Sequence, residues 1–343
     1  MRLPLQDLQQ TTARISEGGG DALRGGTIML TGGTGFIGRW LIETFRAFNA
    51  ATNAGARMNV LSRNVARFRA SAPHLSEDPS ITMIEGDVRE FAATPCDFVI
   101  HGATESSDAL ANGDPRLFVD TIDGTRNALD FAVHSGARRF LYLSSGAVYG
   151  RQPVDVSHIA EDFNCAPDVR DPQSGYGETK RAGELLCALY AKQFGLEVVI
   201  ARGFAFIGPH LPLDRNFAAG NFLGNVVNGE HIEVRGDGTA LRSYLYAADL
   251  AVWLWILLLR GAPGRAYNVG SESAVSIAEL AAEAAKLTDP PLPVTIRGTP
   301  DPAKPPERYV PSTEAARKEL GLTETVDWRT ALRKTHDWYR GTV

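Results

Sequence analysis

Residues Thr31–Gly38 read TGGTGFIG, and this stretch constrains the chain more than any other. It follows a short apolar run, Thr27–Leu30, that suits a buried strand, and precedes Phe36–Phe48, whose apolar spacing suits an amphipathic helix. Gly32, Gly35 and Gly38 therefore fall on a strand-to-helix turn. Glycine lets the backbone turn sharply there and lets a pyrophosphate approach the helix N-terminus, where free N–H groups and the helix dipole favour negative charge. A glycine triplet alone can be a merely structural turn; flanked by a strand and a helix, it reads as a dinucleotide site.

From Thr27 a strand–helix alternation begins. Strands are expected at Thr27–Leu30, Met58–Leu61, Ile81–Glu85, Phe98–His101, Phe140–Ser144 and Leu196–Ala201, with helices between them that include Pro115–Ser135 and Tyr176–Phe194. The pattern predicts an α/β fold with a doubly wound parallel sheet, and a ligand beyond the C-terminal ends of the strands. After Arg202 the rhythm breaks. A helix near Asn221–Asn228, a strand at Ile232–Val234, a helix at Ala247–Leu259 and a strand at Ala266–Val269 precede helices at Ile277–Leu287, Ser312–Leu320 and Trp328–Arg340. The proline-rich stretch 298–311 reads as a linker or a loop over a site. The expected division is an N-terminal arm at 1–26, a dinucleotide-binding domain at 27–202, and a smaller α/β substrate lobe at 203–243 and 271–343. Residues 244–270 are expected to return to the sheet. In the arm, Leu3–Ile15 suits a short helix, and Gly18–Gly20 with Gly25–Gly26 are read as loosening the chain.

Composition closes off other classes. The chain has 343 residues and a net charge of −5 without a basic block, which argues against nucleic acid or an anionic membrane as partner. Cys96, Cys165 and Cys187 form neither a metal pattern nor a disulfide framework, which fits a reducing cytoplasm. The N-terminus lacks the long apolar core of a secretory signal. The most apolar run, Leu250–Leu259, has ten residues, whereas a bilayer span needs about 20, so a buried helix is expected.

Tyr176 and Lys180 stand four apart at the start of an expected helix, which puts both side chains on one face. A free tyrosine has a pKa near ~10, too high for a base at neutral pH; a neighbouring ammonium favours the phenolate. Ser145 ends the Phe140–Ser144 strand and is placed to hydrogen-bond a substrate oxygen. Each has a bland alternative: a surface Tyr, a solvated Lys, a Ser capping a turn. Glycine turn, Ser and YxxxK in this order point together to an oxidoreductase site.

With these residues in hand, the chain resembles the extended short-chain dehydrogenase/reductases, the nucleotide-sugar epimerase/dehydratase family, over about residues 27–340. The matching stretches are TGGTGFIG, GDV at Gly86–Val88, VIHGAT at Val99–Thr104, GTRNALDFA at Gly124–Ala132, SSGAVYG, YGETK, GDGTALRSYLYAADL at Gly236–Leu250 and YNVGS at Tyr267–Ser271. The resemblance implies a Rossmann-like domain with Ser145, Tyr176 and Lys180 as catalytic residues. It implies cofactor contacts at Gly32, Gly35, Phe36, Ile37, Gly38, Ser62, Arg63, Asp87, Val88 and Ala103, joined by Tyr176 and Lys180. Asp87 takes the adenine contact. Ser145, Asn216 and Arg242 are the implied substrate contacts, Arg242 holding the sugar-nucleotide diphosphate; its bland alternative is a salt bridge with Asp237. The implied partner is a nucleotide-diphosphate sugar, and the implied assembly is a homodimer through Pro115–Ser135 and Tyr176–Phe194, where Leu185, Leu186, Leu189 and Tyr190 form an apolar group.

Four departures from that pattern matter. No carboxylate follows the second strand, where Leu61-Ser62-Arg63-Asn64 stands; Arg63 suits a 2′-phosphate and favours NADP(H), with NAD(H) the alternative. Gly146 and Ala147 replace the acid pair of 4,6-dehydratases and the Glu of sugar-acid decarboxylases. Ala205 replaces an Asn, and Thr121 another. The expected activity is therefore hydride chemistry at sugar C4, by a 4-epimerase or a 4-ketoreductase. The competing readings are a dehydratase with atypical acid/base residues, a non-nucleotide carbonyl reductase, and a non-catalytic NADP-binding protein.

Overall fold

The computed structural model describes residues 1–104, 109–110, 114–214 and 217–341. The chain divides into two compact units. One comprises Met1–Gly150, Cys165–Gly203 and Ala251–Tyr267; the other comprises Arg151–Asn164, Phe204–Leu250 and Asn268–Val343. Arg151–Asn164 thus lies in the second unit, although it interrupts the stretch that the strand–helix alternation gives to the first.

The first unit is built on six strands: β1 (Thr27–Thr31), β2 (Arg57–Ser62), β3 (Ile81–Glu85), β4 (Phe98–His101), β5 (Arg139–Ser145) and β6 (Glu197–Gly203). Their order in the sheet is β3-β2-β1-β4-β5-β6, and the Ala266–Val269 strand follows β6 at the edge. The pairs from β3 through to β6 are parallel. Chain order reverses between β1 and β4, and open sheets of this kind bind ligands at such a switch point. Every residue of β4 is buried, which is why the central strands read as apolar runs rather than as alternating patterns. Ile28, Met29, Val99, Phe140 and Leu141 are wholly enclosed.

The Leu5–Glu17 helix turns Leu8, Thr11 and Ile15 inward and packs on the Phe36–Thr52 helix. Two of the glycines expected to loosen this arm, Gly18 and Gly20, do the opposite, whereas Gly25 stands in open space. A Cβ on Gly20 would come within 2.6 Å of the Phe48 ring, and one on Gly18 within 2.7 Å of Ile256. They are close-approach positions that let the arm seat. The Ala247–Arg260 helix is buried along most of its length, and the Trp255 indole donates to Thr44 Oγ1 at 2.9 Å, which satisfies its one polar atom. Among the described residues, no helix is long and apolar enough to cross a membrane.

The second unit holds the helices Ala218–Asn228, Ile277–Ala285, Glu314–Leu320 and Trp328–Tyr339 with short strand pairings. Leu241–Arg242 pairs antiparallel with Val275–Ser276 and parallel with Arg308–Tyr309. The proline-rich stretch therefore supplies a strand, which no sequence period announces over two residues.

Candidate active site

The turn after β1 is built from glycines that leave no room for side chains. Gly32 has φ +76°, and a Cβ there would lie 2.5 Å from the Gly102 carbonyl carbon and 2.7 Å from Ala103 N. A Cβ on Gly38 would lie 2.4 Å from Gly33 Cα, and one on Gly33 would lie 2.5 Å from Val60 Cγ1. Gly33 and Gly102 are constraints that the triplet spacing does not reveal. Gly35 differs from them. It is exposed, and its Cβ position meets only Gly32 O, at 3.5 Å. It is also the N-cap of the Phe36–Thr52 helix, with no side-chain cap and no acidic residue in the first turn. Phe36 and Ile37 are half-buried in that turn. Open space beside an uncapped helix N-terminus fits the pyrophosphate of a dinucleotide.

Thr31 fastens this turn to β4. Its Oγ1 is 2.8 Å from His101 Nδ1 and accepts from Ala103 N at 3.2 Å, while His101 Nε2 is 3.1 Å from Thr125 Oγ1. Burial, helped by the charge of Lys180, pushes the His101 pKa down to about 3, so the ring is neutral.

The ends of β2 and β3 carry the residues assigned to the adenosine half. Ser62 Oγ accepts from Asn64 N at 3.2 Å, and Arg63 is exposed. Asp87 receives Arg89 through Nε at 2.9 Å and Nη2 at 3.1 Å, and this hydrogen bonding, with Arg63 adding a smaller share, holds its carboxyl below the usual range. Val88 O accepts from Asn127 at 2.9 Å, and Gly124 faces the Val88 side chain so closely that a Cβ would lie 2.7 Å away.

Ser145 is the last residue of β5. Its Oγ accepts from Ala147 N at 3.1 Å, capping the Gly146–Tyr149 turn, and it also hydrogen-bonds Tyr176. Ser145 thus caps the turn, as its bland alternative has it, and also reaches Tyr176. Gly177 lets the two segments meet: a Cβ there would lie 2.6 Å from Ala147 O. Lys180 is 3% exposed; its Nζ donates to Leu143 O at 2.8 Å and lies 5.8 Å from the centroid of the Tyr176 ring. The expected depression of the Tyr176 pKa is not what the protein alone produces. Burial raises it, and the hydrogen bond with Ser145 opposes that rise. Lys180 is lowered to about 8 by burial, with Glu184 opposing.

In the second unit, Arg242 Nη1 donates to Leu241 O at 2.9 Å, while Asp237 accepts from the Thr239 backbone and hydroxyl. The alternative Arg242–Asp237 salt bridge does not form. Asn216 lies outside the described residues. No group of three or more potential metal ligands occurs among the described residues.

The parallel sheet, the glycine turn and the Ser–Tyr–Lys group define a dinucleotide-dependent short-chain dehydrogenase/reductase of the extended type. The model of the NAD-dependent epimerase/dehydratase family matches residues 28–270, and the chain belongs to that family. It is 28% identical over 317 residues to UDP-glucuronic acid decarboxylase 1 of Arabidopsis thaliana, covering 92% of this chain and 70% of that protein. An epimerase of Methanothermobacter thermautotrophicus superposes with a TM-score of 0.78 at 25% identity, covering 96% of this chain and 95% of that one. A dTDP-glucose 4,6-dehydratase of Streptomyces venezuelae, solved with NAD, superposes with a TM-score of 0.78 at 24% identity, covering 92% and 97%.

The Lys180 shift makes a stability prediction. The folded-state pKa of about 8 lies below the unfolded value of 10.5, so the unfolded chain binds the proton more tightly. The resulting cost, roughly 3 kcal/mol, is complete below about pH 8 and disappears as pH rises to about 10.5. Urea unfolding of the parent and of Lys180→Met should show the parent gaining stability relative to the variant across that window. A constant difference would mean that Lys180 titrates normally.

Proposed function

We propose that the protein acts at C4 of a nucleotide-diphosphate sugar, by 4-epimerisation or 4-keto reduction. One observation carries this reading: a tyrosine hydroxyl hydrogen-bonded to Ser145 above a buried lysine, in the same unit as an uncapped, glycine-lined helix N-terminus. Tyr176 exchanges a proton with the C4 oxygen. Ser145 shares the hydrogen bond to that oxygen, and Lys180 holds the ribose and, while charged, favours the phenolate. A bound nicotinamide dinucleotide supplies the hydride donor or acceptor and, when oxidised, a positive charge that favours the phenolate. Arg242, whose guanidinium has no carboxylate partner among the described residues, supplies a charged fork for the diphosphate.

The relatives include a decarboxylase, an epimerase and a dehydratase. What supports C4 chemistry here is the pair after Ser145. Gly146 and Ala147 have no side chain able to carry a proton to a leaving hydroxyl. Tyr176→Phe keeps the ring and removes the proton carrier, so turnover should fall by about 10²–10⁴-fold with dinucleotide affinity nearly unchanged. The measurement is single-turnover reaction with UDP-, dTDP-, GDP- and CDP-linked sugars, including 4-keto forms. Parental turnover in the Phe variant would remove Tyr176 from the chemistry. Net cofactor oxidation identifies a ketoreductase; an inverted C4 without net cofactor change identifies an epimerase.

For the cofactor, the absence of a carboxylate after β2 and the exposed Arg63 support NADP(H), whereas the family description and the NAD in the Streptomyces venezuelae structure support NAD(H). Arg63→Asp should weaken NADP(H) and leave NAD(H) equal or better. A charge-assisted contact of this kind is worth about 1.5–3 kcal/mol. An unchanged NADP(H) affinity by titration calorimetry would favour NAD(H).

The helices Pro115–His134 and Gly175–Phe194 are proposed as the face that pairs two copies. Leu185 is 62% exposed and Leu189 51%, with Val119 at 53%, whereas Leu186 packs on the core and Tyr190 donates to Asp130. An outward Leu pair one helical turn apart suits a second copy of the chain. Light scattering should show a dimer for the parent and a monomer for Leu185→Asp/Leu189→Asp; a monomeric parent at micromolar concentration would remove the proposal.

A further inference from the structure

The strand that carries Ser145 and the helix that carries Tyr176 and Lys180 are joined at three successive residues. Leu143 O accepts from Lys180 Nζ at 2.8 Å; Ser144 Oγ donates to Glu184 Oε1 at 2.6 Å; Ser145 hydrogen-bonds Tyr176. On the helix side the partners are residues 180, 184 and 176, each a multiple of four apart, so they share one face. Glu184 does more than receive Ser144. Both of its carboxylate oxygens take the fork of Arg202, Nε at 2.9 Å and Nη2 at 2.7 Å. Arg202 stands on β6 directly opposite Ser144 in the sheet register. Its remaining nitrogen Nη1 donates to the Tyr149 hydroxyl at 2.8 Å, and its guanidinium lies 4.9 Å from the Tyr149 ring centroid. Tyr149 closes the short turn that Ser145 caps.

This ion pair is largely enclosed: the Arg202 and Glu184 side chains are 15% and 12% exposed. Burial pulls the Arg202 pKa down, and Glu184 and Tyr149 together more than offset it, so the guanidinium stays charged. A buried pair of this kind is weak evidence for stability and better evidence for fixing a geometry. Here the four groups it ties together are β5, β6, the Gly146–Tyr149 turn and the catalytic helix, all of which converge on Ser145.

We infer that Glu184 and Arg202 are positioning residues that hold the Ser145 hydroxyl in hydrogen-bonding register with Tyr176, so that the proton-transfer step depends on a pair that does not touch substrate. The inference rests on the reading of Ser145, Tyr176 and Lys180 given under Proposed function. It separates this pair from a generic structural contact because loosening it disturbs the Ser145–Tyr176 bond before it disturbs cofactor or sugar binding.

Arg202→Lys keeps the charge and removes the fork, and Glu184→Gln keeps the shape and removes the charge. Both should lower kcat by about tenfold or more; Arg202→Lys, which leaves the Glu184 charge beside Lys180, should change KM for the nucleotide sugar and dinucleotide affinity by less than about twofold. An independent readout needs no substrate. Ultraviolet titration of Tyr176, taken as the difference between each background and the same background with Tyr176→Phe, isolates this hydroxyl from Tyr142 and Tyr149. In Arg202→Lys its midpoint should rise by about half a pH unit or more, because the hydrogen bond that opposes burial has loosened. Far-ultraviolet circular dichroism checks folding, and Ser144→Ala, which deletes one rung, replaces Arg202→Lys in the comparison if that variant unfolds. A Tyr176 midpoint unmoved in the folded variant overturns the inference, as does an unmoved kcat where the parent turns over a sugar. A parent inactive on all nucleotide sugars would overturn the reading of the reaction instead, and the titration alone then decides positioning.

Discussion

The first turn of the Phe36–Thr52 helix points backbone N–H groups at no capping side chain of its own, and much of the first unit is arranged around that omission. A side-chain cap would ordinarily be worth about 1 kcal/mol. Here the N-cap is Gly35, the one glycine of the turn with open space at its Cβ position. The others are packed so closely that backbone meets backbone: Gly32 lies against Gly102, and Gly38 against Gly33. Thr31 and His101 then hold β1 and β4 in register from below. A turn this tight, ending on backbone donors with no side-chain cap, is complementary to an anion.

The same sheet sets the chemistry at its other half. β5 delivers Ser145 at its last residue because the strand stops there in a turn that Ser145 itself caps. Gly177 lets the Gly175–Phe194 helix ride close enough for Tyr176 to reach that serine. Lys180 is buried and committed to Leu143 O, so its charge is retained below about pH 8 against the pull of burial. Burial and the Lys180 charge push the His101 pKa down to about 3, so near neutral pH Lys180 has no like charge beside it from that side. The protein alone leaves Tyr176 more reluctant to ionise than free tyrosine. Ser145 opposes that rise without cancelling it, so a bound positive charge would add to what the protein supplies.

The sheet was legible in the sequence because its strands are buried on both faces, and bounded apolar runs survive any uncertainty in period. Ile81–Glu85, Phe98–His101 and Ala266–Val269 agree with the expected bounds residue for residue, and the other strands of the sheet differ at their ends by one or two. The glycine triplet and YxxxK were legible because each rests on local spacing. What was not legible depends on partners distant in sequence. Gly33 and Gly102 matter only because Val60 and Leu143 approach them. Gly18 and Gly20 read as loose because glycine in a short polar stretch says nothing of Ile256 or Phe48. Glu184 could have been found, four residues past Lys180 on the same face; Arg202 could not have been joined to it without the register that sets Ser144 against Arg202.

Family membership leaves the reaction open, and the physical reason is local. Decarboxylase, epimerase and dehydratase relatives share a fold whose sheet and glycine turn do not specify what happens at the sugar. On the proposed reading, the difference lies in the groups beside Tyr176. In this chain the two residues after Ser145 contribute a hydrogen atom and a methyl group, and Ala205 adds another methyl where the family pattern places an amide. None of these can donate, accept or relay a proton. Chemistry that needs a second acid or base at the ring must take it from elsewhere, whereas the proposed chemistry at one oxygen asks only for Tyr176 and Ser145. The sequence therefore narrows the reaction by subtraction. Its small side chains leave no extra proton carrier beside Ser145 and Tyr176, which is what supports the proposed carbonyl–alcohol interconversion over chemistry that needs a second acid or base.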